Sequence, residues 1–207
     1  MHLIEPLQYW DEKLFKLINQ DWASVKLDDI MYVLSSKYTL IFYYVAAITW
    51  FIIRYKKKFY IPLITALLAF ALADSISAKI CKPYFERLRP AFESELHPRL
   101  PDGPPGGKFG FVSSHSANSF AVYPLLLFLS FTAGSRGKYI INKTTYYSWF
   151  GLILLVATAI AYSRVYLGVH YPGDVIGGAI LGFVIGGSLK YVYQKFVWNK
   201  WIVSDTI

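Results

Sequence analysis

The chain is poor in cysteine and in charge. Its single cysteine, Cys81, excludes an internal disulfide and leaves the redox compartment open. Charged residues make up only 16% of the 207 positions and hydrophobic residues 55%, too apolar a balance for an ordinary soluble domain. Met1 to Glu5 lack the positively charged start of a secretory signal, so the first membrane helix is expected to act as the insertion signal. No internal repeat and no low-complexity tract breaks the chain, and its length fits one domain, residues 1–207. The net charge of +8 would suit nucleic acid or anionic lipid. The basic residues, however, fall in short clusters between long apolar runs, a pattern of membrane topology and not of a nucleic-acid partner.

Five apolar stretches are expected to cross a membrane, at about residues 30–53, 59–80, 116–132, 146–162 and 175–193. The fold class that follows is all-α, a polytopic membrane helical bundle. The third and fourth stretches are short and would borrow flanking aromatic or polar residues, and Trp50, Trp149, Trp198 and Trp201 sit where an interfacial belt would lie. Ahead of them, residues 1–27 place Leu3, Leu7, Trp10, Leu14, Leu17 and Ile18 at helical spacing. Glu5, Asp11, Glu12, Lys13 and Lys16 take much of the other side. This amphipathic helix is too charged to span; it either lies along the membrane interface or packs as an arm on the rest of the protein. Asp28 and Asp29 mark the start of the following helix, acids at its positive end.

Loop charge sets the orientation. Arg54, Lys56, Lys57 and Lys58 join the first two stretches; Arg136, Lys138 and Lys143 join the third and fourth; Lys190, Lys195 and Lys200 end the fifth. These regions hold a single acid, Asp205, and so face the cytoplasm, which puts the amino terminus and the loop at 81–114 outside.

Nearly all residues capable of chemistry fall on that outer side, in three groups. Lys82 and Arg89, within Lys82-Pro83-Tyr84-Phe85-Glu86-Arg87-Leu88-Arg89-Pro90, pair a compact charge with a bidentate fork, as a phosphoryl clamp would. Phe111-Val112-Ser113-Ser114-His115-Ser116 precedes the third stretch; hydroxyls and N–H groups at a helix start suit an anion, and His115 can donate a proton near neutral pH. Ser163-Arg164, then His170, then Asp174 form the third. Asp174 is close enough to hold one imidazole nitrogen of His170 and aim the other at substrate. Each group alone reads equally as juxtamembrane charge or helix capping. Together they supply three cations, two histidines and an orienting carboxylate: a phosphoryl-transfer site.

These three groups resemble the tripartite signature of the type 2 phosphatidic acid phosphatases, a superfamily that includes vanadium haloperoxidases, over roughly residues 59–193. The middle group departs from it: the family usually has Pro-Ser-Gly-His, and Ser114 stands at the glycine. The resemblance implies that His170 attacks phosphorus, Asp174 stabilises the imidazolium, and His115 protonates the leaving oxygen. It also implies that Lys82, Arg89, Ser113, Ser114 and Arg164 hold the phosphate oxygens. It implies no metal and no cofactor, and the outer loops lack a compact Asp/Glu/His ligand set. A small bacterial inner-membrane enzyme acting on a phosphorylated membrane lipid is expected. Candidate substrates are phosphatidic acid, phosphatidylglycerol phosphate, an isoprenyl diphosphate or a lipid A phosphate. A lipid phosphotransferase would use the same residues; a lipid-binding or transport protein is the reading of another class, disfavoured because charge does not cross the midplane.

Three secondary features complete the reading. Gly178, Gly182 and Gly186 form small-xxx-small steps suited to close internal helix packing, with dimerisation as the alternative. Asp74, near the outer end of the second stretch, is expected to make a structural hydrogen bond. Pro101-Asp102-Gly103-Pro104-Pro105-Gly106-Gly107-Lys108 lacks the strand and the hydroxyl of a nucleotide loop, and suits a flap over the site.

Overall fold

The computed structural model describes residues 4–93, 95–101, 103, 107–133 and 138–202. Leu3, Arg136, Asp205 and positions 102 and 104–106 of the expected flap lie outside the described residues.

The described chain is helical: α1 (Ile4–Lys16), α2 (Val25–Ser35), α3 (Lys37–Tyr55), α4 (Tyr60–Ser75), the short α5 (Lys82–Phe85), α6 (Ser114–Phe131), α7 (Lys143–Tyr166) and α8 (Pro172–Val192). A two-residue antiparallel ladder, β1 (Thr132–Ala133) with β2 (Lys138–Tyr139), links α6 to α7. Among the described residues, three helical segments are long and apolar enough to cross a membrane: Tyr60–Phe85, Lys143–Tyr166 and Pro172–Trp198. Their sidedness fits lipid. On α4, Ala66, Ala69 and Ala73 point inward while Ile64, Leu67 and Leu68 are exposed; on α8, Ile176, Ile180 and Val184 face out one turn apart. Small residues inside and large aliphatic ones outside invert the pattern of a water-soluble bundle.

At the centre stands α6, packed most extensively on α8. A Cβ at Gly178 would lie 2.5 Å from the Ser113 carbonyl, and one at Gly186 2.5 Å from that of Ala121. One at Gly182 would strike the Ala117 carbonyl. The expected close internal packing is therefore backbone against backbone, and it fixes the start of α8 beside the start of α6.

Several boundaries move. The first apolar stretch is broken at Ser36, whose extended backbone (φ −75°, ψ 152°) and hydroxyl, accepting from Thr39 N–H, begin a new helix. Serine side chains compete with the helix ladder in this way. Its predecessor α2 begins at Val25, ahead of Asp28-Asp29, with Asp28 in its first turn. The fourth stretch is longer than expected, filling all of α7. The second continues through a widened turn, Ile76–Cys81, into α5.

The inner face of α1 also differs. Trp10 and Leu14 are exposed, while Phe15 and Asn19, four residues apart, are fully buried, and Asp11 is on the same side. Asn19 earns its place through hydrogen bonds, donating to the carbonyls of Tyr166 (2.7 Å) and Arg99 (3.0 Å) and accepting Arg99 N–H (2.8 Å). The arm packs on the protein through polar contacts that hydrophobic periodicity does not reveal, and turns Trp10 and Leu14 outward.

Candidate active site

Each of the three residue groups sits at a helix end. The widened turn after α4 and the short α5 place Lys82. The chain then leaves α5 at Glu86, in the left-handed conformation (φ 46°), and pairs Leu88 with Phe109 across the outer loop. The bonds Arg89 N–H to Lys108 O (3.0 Å) and Gly110 N–H to Arg87 O (2.8 Å) close that loop at its base. Pro172 opens α8, as its fixed φ suits a first helical position, and Gly168 (φ +77°) makes the turn out of α7. A Cβ at Gly168 would meet the Arg99 carbonyl, so the turn requires glycine.

His170 is 2% exposed and Asp174 wholly buried. Asp174 Oδ2 lies 3.3 Å from His170 Nδ1 and accepts Tyr171 N–H at 3.0 Å. With Nδ1–H donated to the carboxylate, Nε2 keeps its lone pair. Burial pushes the His170 imidazole down to about pKa 4; Asp174 works against that shift, and the charges of Arg164 and Arg89 add to it. The ring is therefore neutral at physiological pH, the form a nucleophile needs.

The middle group begins with Ser113, whose N–H donates to the Asp174 carbonyl (3.0 Å) and whose buried hydroxyl has no partner among the described residues. Ser114 does more than replace a glycine. Its hydroxyl accepts Lys82 Nζ at 2.6 Å and bonds Ser77 Oγ at 2.8 Å, tethering the ammonium to the first turn of α6. Below them Asp74 accepts from Asn118 (3.2 Å), the structural hydrogen bond expected of it.

Arg89 anchors its Nε on the Phe109 carbonyl at 3.0 Å. Arg164 donates to Ser35 Oγ, and the Ser35 backbone hydrogen-bonds His115. His115 in turn lies within electrostatic reach of Arg164, His170 and Lys82, and Lys82 within that of Arg89 and Asp174. Direct contacts or charge interactions thus link all eight residues singled out by sequence.

Four further residues belong to the site. Ser35 joins Arg164 to His115 and had only its place before Ser36 to mark it. Gly110 backs the His170–Asp174 pair: a Cβ there would be 2.8 Å from Asp174 Oδ2 and 3.5 Å from His170 Nδ1. Arg87, inside the first motif, puts Nη1 2.8 Å from Asp174 Oδ1 and Nη2 2.5 Å from Asp11 Oδ2. Asp11, from α1, also accepts Gly173 N–H at 2.7 Å. Burial raises the Asp11 carboxyl above its ordinary range, while Arg87 and the Gly173 amide pull it back. Helical spacing alone puts Asp11 only on the charged side of α1.

Comparison with known proteins places these features in context. The model of the PAP2 superfamily matches residues 62–198. The lipid A 4'-phosphatase of Porphyromonas gingivalis is 31% identical over 183 residues, 85% of this chain and 70% of that protein. Phosphatidylglycerophosphatase B of Bacillus subtilis is 31% identical over 192 residues, 91% of this chain and 86% of its own length. The fold matches the crystal structure of the transmembrane PAP2-type phosphatidylglycerolphosphate phosphatase of Bacillus subtilis. The TM-score is 0.71 at 23% identity, covering 89% of this chain and 85% of that one.

Proposed function

Because the chain belongs to the PAP2 superfamily, we propose that it is an integral membrane phosphatase that hydrolyses a phosphomonoester or diphosphate of a membrane lipid through a phosphohistidine. The observation that carries this reading is the buried, neutral His170 held by Asp174 among Lys82, Arg89 and Arg164.

In the first step His170 Nε2 attacks phosphorus and the bond to the lipid oxygen breaks. His115 gives its proton to that oxygen, and Asp174 balances the charge that grows on the ring. Lys82, Arg89, Arg164 and the Ser113 and Ser114 groups hold the equatorial oxygens, so most of the catalysis is positioning and charge neutralisation. In the second step His115 takes a proton from water, whose oxygen attacks phosphorus; the P–N bond breaks and inorganic phosphate leaves.

The wider frame is one domain over residues 1–207. Five spans, α3, α4 with α5, α6, α7 and α8, cross a bacterial inner membrane, with α1 at its interface. The lysine-rich Lys56–Lys58 turn faces the cytoplasm, and the active site, framed by residues 81–114, faces outward. The exposed Trp10 on α1 and Trp22 six residues beyond its end suit this segment to the interface.

The test is phosphate release by the purified protein from phosphatidic acid, phosphatidylglycerol phosphate, undecaprenyl diphosphate and lipid A in detergent. Turnover of one or more, lost in His170→Ala, is expected. Release of nothing from any, or transfer only when an acceptor alcohol is added, would refute hydrolysis.

A further inference from the structure

We propose that α1 is a working part of the active site: Asp11 and Arg87 act as positioning residues that set the charge felt by Asp174 and, through it, the proton affinity of His170. The inference rests on His170 being the nucleophile.

Asp174 divides its two oxygens. Oδ2 serves His170 and the Tyr171 amide; Oδ1 takes Arg87 Nη1 at 2.8 Å. The same guanidinium donates Nη2 to Asp11 Oδ2 (2.5 Å) and Gln8 Oε1 (2.9 Å), and lies 4.3 Å from the centre of the Tyr171 ring. Both α1 partners come from a segment 76 or more residues away in sequence. Asp11 is fixed in turn, since its Oδ1 accepts Gly173 N–H in the first turn of α8. A Cβ at Gly173 would lie 2.7 Å from Asp11 Oδ2 and 3.3 Å from Arg87 Nη1, so that position has no room for a side chain.

The result is an ordered row of charge, Asp11 negative, Arg87 positive, Asp174 negative, ending on the imidazole. The Asp174 side chain is fully buried and that of Asp11 11% exposed, so solvent screens the row weakly. Each charge is compensated by its neighbour, as buried charges must be. Other groups acting on His170 are Asp174 on α8, Arg164 on α7, Arg89 in the outer loop and His115 on α6. Of these only Asp174 is bonded to Arg87; Arg164, Arg89 and His115 are left in place when Asp11 or Arg87 is altered.

The row makes a prediction with a sign. Without Arg87, the negative charge of Asp174 acts on His170 unopposed and favours the imidazolium. Without Asp11, the positive charge of Arg87 falls uncompensated on the pair and disfavours it. A scaffold role for the same contacts would lower stability or turnover in both variants and leave the pH profile in place.

The experiment measures kcat/KM against pH for the full-length protein in detergent, scoring phosphate release from dioctanoyl phosphatidic acid. Arg87→Gln should move the acidic limb up by roughly 0.5–1 unit. Asp11→Asn should move it down, the double variant should return it towards wild type, and the charge-conserving Asp11→Glu should hold it near wild type. Should Arg87→Gln fail to fold, the contrast of Asp11→Asn with Asp11→Glu decides alone. Coincident limbs in wild type and Asp11→Asn, or displacement of both single variants in one direction, would overturn the proposal. His170→Ala is the control: activity surviving there refutes the nucleophile itself, whereas its loss together with unshifted limbs refutes only the role of α1.

Discussion

Nδ1 of His170 lies 3.3 Å from Oδ2 of Asp174, one turn ahead, and that same oxygen accepts the Tyr171 amide that starts α8. One carboxylate therefore fixes both the tautomer of the ring and the beginning of the helix. Asp174→Asn keeps the shape but loses the charge. It should lower kcat by roughly 10²–10⁴-fold, as wrong tautomers do in analogous triads. Steady-state phosphate release, compared with wild type at equal folded fraction, checks this.

The pH profile follows from burial. Because burial pulls His170 down to about 4, the ring stays neutral at pH 7 and takes up a proton only as pH falls through that value. The acidic limb of kcat/KM is expected near pH 4, well below the 6.5 of an ordinary histidine. The sign for stability is the same. An unfolded chain takes up this proton near 6.5 and the folded one resists it, so acidification from about 6.5 towards 4 costs stability. A limb at 6.5 would show the ring to be solvated.

Gly110 has no chemistry of its own, yet a methyl there would lie 2.8 Å from Asp174 Oδ2. Gly110→Ala should displace the carboxylate and lower kcat by about 10²-fold, the usual cost of a misplacement near 1 Å. Thermal unfolding measured beside kinetics distinguishes a displaced pair from a destabilised bundle; turnover equal to wild type would contradict the geometry.

Charge neutralisation is assigned to Lys82, Arg89 and Arg164, so turnover should survive excess chelator. Vanadate, which adopts the five-coordinate shape of the transferring phosphoryl group, should inhibit it. Loss of activity on chelation, restored by a divalent ion, would move that neutralisation from the side chains to a metal.

Much of this was legible in the sequence because it is written locally. Lys82, Arg89, Ser113, Ser114, His115, Arg164, His170 and Asp174 lie in three short runs, and the spacing of Gly178, Gly182 and Gly186 announces a helix contact. What was not legible depends on distant pairs. Asp11 meets Arg87 across 76 positions, and no periodicity tells a solvated acid from one buried against a distant arginine. Ser35 meets Arg164 across 129 positions, and only after a helix break at Ser36 that apolar composition conceals. Gly110 matters for the side chain it lacks.

The separate duties of the two histidines are the central claim, and a leaving-group series tests them most directly. Rates of His115→Ala and wild type are compared on a lipid monophosphate, a lipid diphosphate and a nitrophenyl phosphate, with His170→Ala alongside. Loss of the general acid should slow the monophosphate, whose alkoxide needs a proton, by roughly 10²–10⁴-fold, and the other two much less. His170→Ala should be inactive on all three. An equal defect in His115→Ala across the series, with chemistry limiting turnover, or any activity left in His170→Ala, would contradict the account.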